Sequence, residues 1–256
     1  MSAAHLPSPG RVIAIASGKG GVGKTWLAIT LAHALAQRGR GVVLMDADLG
    51  LANADVQLGL NPARDLGAVL RQDMPPEQAA LSLPEGFYLL PGRSGSGALA
   101  GLGARAMDRA AALPRRLAAR WQDVLVDVGA GVEAPQRRLV AGADLLLLVA
   151  TEEPTSLTDA YAVLKLFATD AAGPGTEARL VVNFASSVAA GQRTHATLDA
   201  AARRFLKRGL PLAGIIRRDA KVPDAIRHQT ALLTRHPASP AALDVAALAR
   251  ALANPS

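Results

Sequence analysis

The chain has no cysteine in 256 residues. That excludes disulfide frameworks, thiolate zinc sites, iron–sulfur clusters and cysteine nucleophiles. Aromatic residues make up only 3%, so the core is built from Ala, Leu, Val and Ile, and the stacking platforms of single-strand nucleic-acid readers are missing. Charged residues are 19% against 50% hydrophobic, which excludes a disordered, highly charged chain. No apolar stretch approaches the ~18 residues that a membrane-spanning helix requires. The longest strong run, residues 145–150, has the length of a buried strand. The N-terminus has no basic start followed by an apolar segment, so no secretory signal is expected. The chain reads as cytoplasmic, at most peripheral to a membrane or nucleoid. Lysine is scarce, five residues in all, so the net charge of +7 rests on arginine.

What is present alternates. Residues 1–10, with two prolines and a glycine, read as a short flexible arm, and residues 11–256 as one domain. Branched, uncharged runs predict strands at 12–16, 42–45, 87–90, 124–126, 145–149, 180–182 and 214–216. Helical spacing predicts helices at 24–38, at 104–120 with an interruption or restart at Pro114, at 156–167 and 194–208, and from about Pro223 and Pro240. Ser156 with Asp159 resembles a capping box. Strands alternating with helices predict a single α/β domain, a mainly parallel sheet sandwiched by helices.

The strongest motif is Gly18-Lys19-Gly20-Gly21-Val22-Gly23-Lys24-Thr25. It matches G-x-x-x-x-G-K-[ST] between a predicted strand and helix, the context of a P-loop NTPase. Glycines let successive backbone N–H groups turn inward around phosphate oxygens, and the helix N-terminus adds its positive dipole end. Lys24 brings a charge to the β- and γ-phosphates and Thr25 a hydroxyl to Mg²⁺. The cofactors expected are ATP and Mg²⁺.

Three carboxylates, Asp46, Asp48 and Asp127, stand at the ends of predicted strands, where open α/β sheets place their ligands. Asp46 and Asp48, two apart on an extended segment, point to one side. One of them could order water on Mg²⁺ while the other positions the attacking water. Asp127 ends a buried strand, and the glycines after it let the loop move with the γ-phosphate.

Lys19, a second lysine inside the loop, makes the motif resemble the deviant Walker A sequence of the MinD/ParA ATPases. The resemblance implies that Lys19 reaches across an ATP-dependent homodimer to the partner's nucleotide. It implies that Asp48 orients the hydrolytic water, that Asp46 supports the Mg²⁺ shell, that Asp127 is the Walker B aspartate, and that Asn53 lies near the nucleotide and dimer face. Glu153 and Thr155 should lie near the ribose and dimer face, and Asn183 should hydrogen-bond adenine. The segments 48–60 and 151–161 resemble most the FlhG/FleN branch, MinD-like regulators of flagellar number. That branch implies a slow, partner-stimulated ATPase acting on a flagellar GTPase or a transcription regulator. The chain departs from the family at Trp26, at Val128 and at Arg217-Arg218-Asp219, which stands where relatives often carry a proline-bearing adenine loop. Residues 241–252 carry one base, Arg250, and no aromatic, so they read as a packing helix rather than an interfacial one.

Residues 193–235 contain ten Lys or Arg and three acids. Arg203, Arg204, Lys207 and Arg208 share one helical face by spacing. This region suits an anionic surface, either nonspecific DNA or anionic lipid, and supports the alternative reading of a ParA-like, nucleoid-associated positioning ATPase.

Overall fold

Branched runs without charge become strands buried on both faces. The computed structural model describes residues 9–48, 52–72, 74–92, 103–170 and 177–253. Most of the expected arm, residues 1–8, and Leu49-Gly50-Leu51 of the segment after Asp48 lie outside them. The first strand, β1 (Arg11–Ala16), leads through the glycine-rich loop into α1 (Lys24–Ala36) and then β2 (Val42–Ala47). Two short helices follow, α2 (Ala54–Gln57) and α3 (Leu66–Gln72), then a 3₁₀ turn at Pro76–Gln78 and the strands β3 (Leu81–Ser82) and β4 (Tyr88–Leu90). Next come α4 (Ala104–Leu117), β5 (Asp123–Val128), α5 (Ala134–Ala141), β6 (Leu145–Ala150), α6 (Pro154–Asp170), β7 (Glu177–Ala185) and α7 (Val188–Ala201). A π-turn at Ala202–Leu206 precedes β8 (Leu212–Arg217), α8 (Lys221–Arg227), α9 (Leu232–Arg235) and α10 (Pro240–Ala253).

The eight strands form one sheet in the order β3-β4-β2-β5-β1-β6-β7-β8. Every pairing is parallel except β3 with β4. The expected α/β sandwich is therefore present. Side-chain alternation feeds two cores: Val12, Ala14 and Ala16 pack on one face with Leu113, Leu146 and Phe167, and Ile13 and Ile15 pack on the other with Leu27, Leu31 and Val245. β1 is central, so the loop that follows it opens at the middle of the sheet's C-terminal edge. The register sets Asp46 opposite Asp127 and Ile15 opposite Asp127, which brings both buried acids to the foot of that loop.

Several expected boundaries move. The helix expected from 194 begins at Val188, because Ser187 caps it by accepting from the Ala190 amide at 3.1 Å. It ends in the π-turn, and Lys207 takes a left-handed conformation with φ 55°. Arg203, Arg204, Lys207 and Arg208 therefore do not share a regular helical face. Ser156 is no N-cap: α6 starts two residues earlier at Pro154, and the Ser156 hydroxyl accepts from the Thr151 amide at 3.0 Å. Helix α4 runs through Pro114 without a break. Residues 180–182 are the middle of a nine-residue strand that includes Asn183. The last helix packs as expected, with Ala241, Val245, Leu248 and Leu252 buried.

Candidate functional site

The loop of residues 18–23 is shaped by backbone geometry before any side chain acts. Gly23 caps α1 in the left-handed region at φ 84°. A Cβ there would stand 2.6 Å from Asn183 Nδ2 and 2.7 Å from Phe184 Cζ, so the loop can lie against β7 only with glycine at this position. Asn183, fully buried, donates from Nδ2 to the Val22 carbonyl at 2.8 Å. The family resemblance made it an adenine candidate; the contact of its Nδ2 in this structure is with the loop itself. Ser17 Oγ donates to the Lys19 carbonyl at 2.7 Å, and the Gly131 amide donates to the Ser17 carbonyl at 3.0 Å. The loop is thus tied to β7 on one side and to the segment after β5 on the other.

Lys24 and Thr25 open α1, where the first amides of the helix have no intrahelical acceptor. Lys24 is buried. The Thr25 hydroxyl donates to Asp127 Oδ2 at 2.6 Å, which leaves its oxygen lone pairs facing outward. Asp127 is 1% exposed, and its Oδ1 is buried with no hydrogen-bond partner among the described residues. A buried carboxylate oxygen without a donor fits the hydration shell of a divalent ion. Burial pushes the Asp127 carboxyl up, and the Asp46 charge across the strand pair adds to that, while the Thr25 hydroxyl and Lys24 oppose it. Thr25 and Asp127 are the pair that could hold Mg²⁺ and its waters.

Asp46 is committed differently. Burial pushes its carboxyl up as well. Its oxygens accept the backbone amides of Asn53 and Ala54, each at 3.0 Å, and of Asp48 at 3.3 Å. It therefore folds the segment after β2 back onto the strand end. Asn53 also turns inward, its Oδ1 accepting from Gln57 Nε2 at 2.8 Å. Asp48 stands at the rim beside Gly129: a Cβ on that glycine would lie 3.1 Å from Asp48 Oδ1.

Lys19 projects over the loop and donates to Glu153 Oε2 at 2.6 Å and to Thr155 Oγ1 at 3.0 Å. The three residues that resemblance assigned to one face thus meet in space. The lysine beside Glu153 holds that carboxyl below its usual range. Beyond them opens a cleft of about 380 Å³, lined by Lys19, Gly20, Glu152, Phe184, Ser186 and Arg218 among others. Its depth beside a phosphate-type loop suits a nucleoside. Arg218 belongs to the segment that stands in place of the relatives' adenine loop, whereas Glu152, Phe184 and Ser186 were not singled out from sequence. Glu152 follows an apolar strand, which is a usable signal. Its partner Ser186, whose amide it accepts at 2.7 Å, could be found only from the register of β6 and β7. Phe184 adopts φ 54°, which no sequence pattern announces. Trp26, a departure from the family, packs into the core at 5% exposure.

Comparison with known proteins agrees with this geometry. Residues 13–232 match the CobQ/CobB/MinD/ParA nucleotide binding domain. The antiactivator FleN of Pseudomonas aeruginosa is 38% identical over 244 residues, covering 94% of this chain and 86% of that protein. The flagellum site-determining protein YlxH of Helicobacter pylori is 35% identical over 157 residues, 61% of this chain and 53% of that protein. The crystal structure of the Pyrococcus furiosus cell division ATPase MinD superposes with a TM-score of 0.80 at 25% identity, covering 95% of this chain and 98% of that one. With a P-loop between β1 and α1, two buried acids at its foot and a match across most of its length, the chain belongs to the CobQ/CobB/MinD/ParA nucleotide-binding family and is an ATPase.

Proposed function

We propose that residues 11–256 form one ATPase domain that works as a switch, pairing with a second copy when ATP is bound and acting in that state on a protein that sets the number or place of flagella. The observation that carries this reading is the position of Lys19. It stands over the phosphate loop beside Glu153 and Thr155, on the open side of the nucleotide cleft, where a second molecule would meet it. If Lys19 exchanges its contact with Glu153 for the phosphates of the facing copy, the γ-phosphate becomes part of an interface and hydrolysis removes it. Differential binding of ATP by the paired state then drives the switch, with each Lys19 serving the opposite site in a symmetric dimer. A flagellar GTPase or a transcription regulator is the partner that best suits relatives named as an antiactivator and as a flagellum site-determining protein.

In the proposed chemistry, the loop amides and Lys24 bind the phosphates, and the nucleoside enters the cleft beside Phe184 and Arg218, near Asn183. Thr25 and Asp127 would hold Mg²⁺ and its waters, and the ion would supply positive charge at the β- and γ-phosphates. Asp46 fixes the segment that presents Asp48. Asp48 orients water for attack at the γ-phosphorus, and the bond to the bridging oxygen breaks.

A DNA-associated positioning role is a second reading. Of the ten basic residues between 193 and 235, Arg203, Arg217, Arg227 and Arg235 are ion-paired. Arg193, Arg204, Lys207, Arg208, Arg218 and Lys221 have no carboxylate partner among the described residues, which leaves cationic surface for an anionic polymer or anionic lipid. Among the same residues no helix is long and apolar enough to cross a membrane.

Size-exclusion chromatography with light scattering tests the switch. Asp48→Ala should bind ATP, hydrolyse it poorly, and run as a dimer with ATP and a monomer with ADP. Adding Lys19→Ala should keep ATP binding and abolish the dimer. A monomer under every nucleotide, or an ATP dimer that survives Lys19→Ala, refutes the mechanism.

A further inference from the structure

Helix α5 begins three residues after Gly131, and its third residue is Gln136. The Gln136 side chain turns back under the loop that follows β5. The point where a Cβ would stand on Gly129 lies 3.5 Å from Gln136 Nε2 and 3.1 Å from Asp48 Oδ1. The carboxamide and the carboxylate therefore both approach one face of the same glycine: a Cβ at residue 129 would press on Asp48 and stand in ordinary contact with Gln136. Gln136 Oε1 is buried and has no hydrogen-bond partner among the described residues. A buried carboxamide oxygen without a donor is costly, and it marks a place that an incoming hydrogen-bond donor would fill.

The base from which Gln136 projects is fixed. Its neighbour Arg137 makes a two-pronged ion pair with Asp170 at the end of α6, and Leu139 and Val140 on the next turn are buried. The loop between β5 and α5 is held to the phosphate loop by the bond from the Gly131 amide to the Ser17 carbonyl. Gln136 thus approaches Asp48 from a helix anchored by its ion pair and its buried face, while Asp48 comes from the segment folded by Asp46.

We propose that Gln136 is a positioning residue for ATP hydrolysis, holding the attacking water together with Asp48. This rests on the reading of Asp48 given above and extends it to a second group. The amide N–H steers the Asp48 carboxylate, and Oε1 accepts one O–H of the water, so that a water lone pair faces the γ-phosphorus. The water oxygen bonds to phosphorus, and its other proton moves to Asp48. The bond to the β,γ-bridging oxygen breaks with its electron pair left on ADP. The proton then passes to the released phosphate. A glutamine suits the task because its one acceptor and its donors sit on a single rigid plane, and a glutamine that orients attacking water is a known solution in phosphoryl transfer.

The test compares Gln136→Met, Gln136→Ala and Asp48→Ala in the full chain. Methionine keeps the length of the side chain and removes the amide. Turnover at saturating ATP and Mg²⁺ is measured beside the affinity for a fluorescent ATP analogue and the ATP-dependent mass by light scattering. Both Gln136 variants should lose about tenfold or more in kcat, the scale of a lost water-positioning contact, with nucleotide affinity within about twofold and mass unchanged. Wild-type turnover in Gln136→Met would overturn the inference, since packing alone would then suffice. Joint loss of affinity and turnover in both Gln136 variants would also overturn it, as a structural effect. If Asp48→Ala is inactive while Gln136→Met is fully active, only this inference fails. If Asp48→Ala turns over normally, the reading of Asp48 fails with it.

Discussion

Alanine substitutions along the phosphate loop should give a graded series of stabilities in the absence of nucleotide, and the gradation can be worked out from the structure. At Gly20 the added Cβ meets nothing within 4 Å. The change should be neutral or stabilising by about 0.4–1 kcal/mol, because alanine restricts the unfolded chain. At Gly21 the space is also open, but φ is 78°, so the left-handed conformation costs roughly 1–2 kcal/mol. At Gly23 the same backbone cost applies, and the Cβ would stand 2.6 Å from Asn183 Nδ2. Either the loop or β7 must retreat, which costs roughly 1–3 kcal/mol as overpacking. The retreat also weakens the bond from Asn183 to Val22, about 1 kcal/mol for a typical hydrogen bond. After the unfolded-state gain, Gly23→Ala should lose roughly 2–5.5 kcal/mol, a fall of about 4–22 °C in Tm for a chain of this size. Differential scanning calorimetry of the three variants, with urea unfolding as a check on the slope, reads the series. Equal Tm values for Gly20→Ala and Gly23→Ala would refute the claim that β7 sets the shape of the loop.

Two further outcomes follow from individual groups. Lys24→Ala should weaken ATP binding by roughly 10- to 150-fold, the loss of a charged hydrogen-bonded contact of about 1.5–3 kcal/mol. Isothermal titration showing affinity within about twofold of wild type would contradict the placement of the β- and γ-phosphates. Asp123 is fully buried and pairs with both Arg11 and Arg40 at the start of β5. Asp123→Ala should cost about 1.5–3 kcal/mol in urea unfolding while leaving ATP affinity at native temperature unchanged, because this cluster lies at the edge of the sheet opposite the loop.

The parallel sheet and the phosphate loop were legible because each rests on a local cause. Val12 to Ala16 and Leu145 to Val149 are apolar throughout, which only a strand covered on both faces tolerates. The loop motif carries its own backbone chemistry. Short elements were not legible: α2 and α3 are four and seven residues long; the start of α2 depends on Asp46 capturing amides seven and eight positions ahead, and α3 opens where Asp65 accepts the Ala68 amide. The start of α7 was misplaced because Ser187 acts as its cap, while the apolar spacing becomes regular only later. In the site, residue types predicted which groups would gather, but not their first partners. Asn183 binds the loop carbonyl and Asp46 binds amides because each is set by strand register, which a single sequence does not display.

Helix α1 has a consequence for how the molecule can respond. Nearly every residue from Trp26 to Leu35 is buried, with the sheet on one side and α10 and α9 on others. An ordinary surface helix keeps one wet face along which it can slide or roll. This one is closed in on almost all sides, so displacing it would mean opening the core. Its N-terminus, at the phosphate loop, is placed like the fixed end of a beam. Motion that reports on the nucleotide must then leave through the free ends, the segment tethered by Asp46 and the one tethered by Gly131. Those tethers are single hydrogen bonds and short amide clusters rather than packed apolar surface, and they can be exchanged at small cost. In the proposed switch, the stiff part would lie at the phosphate loop and the movable parts in these hydrogen-bonded tethers.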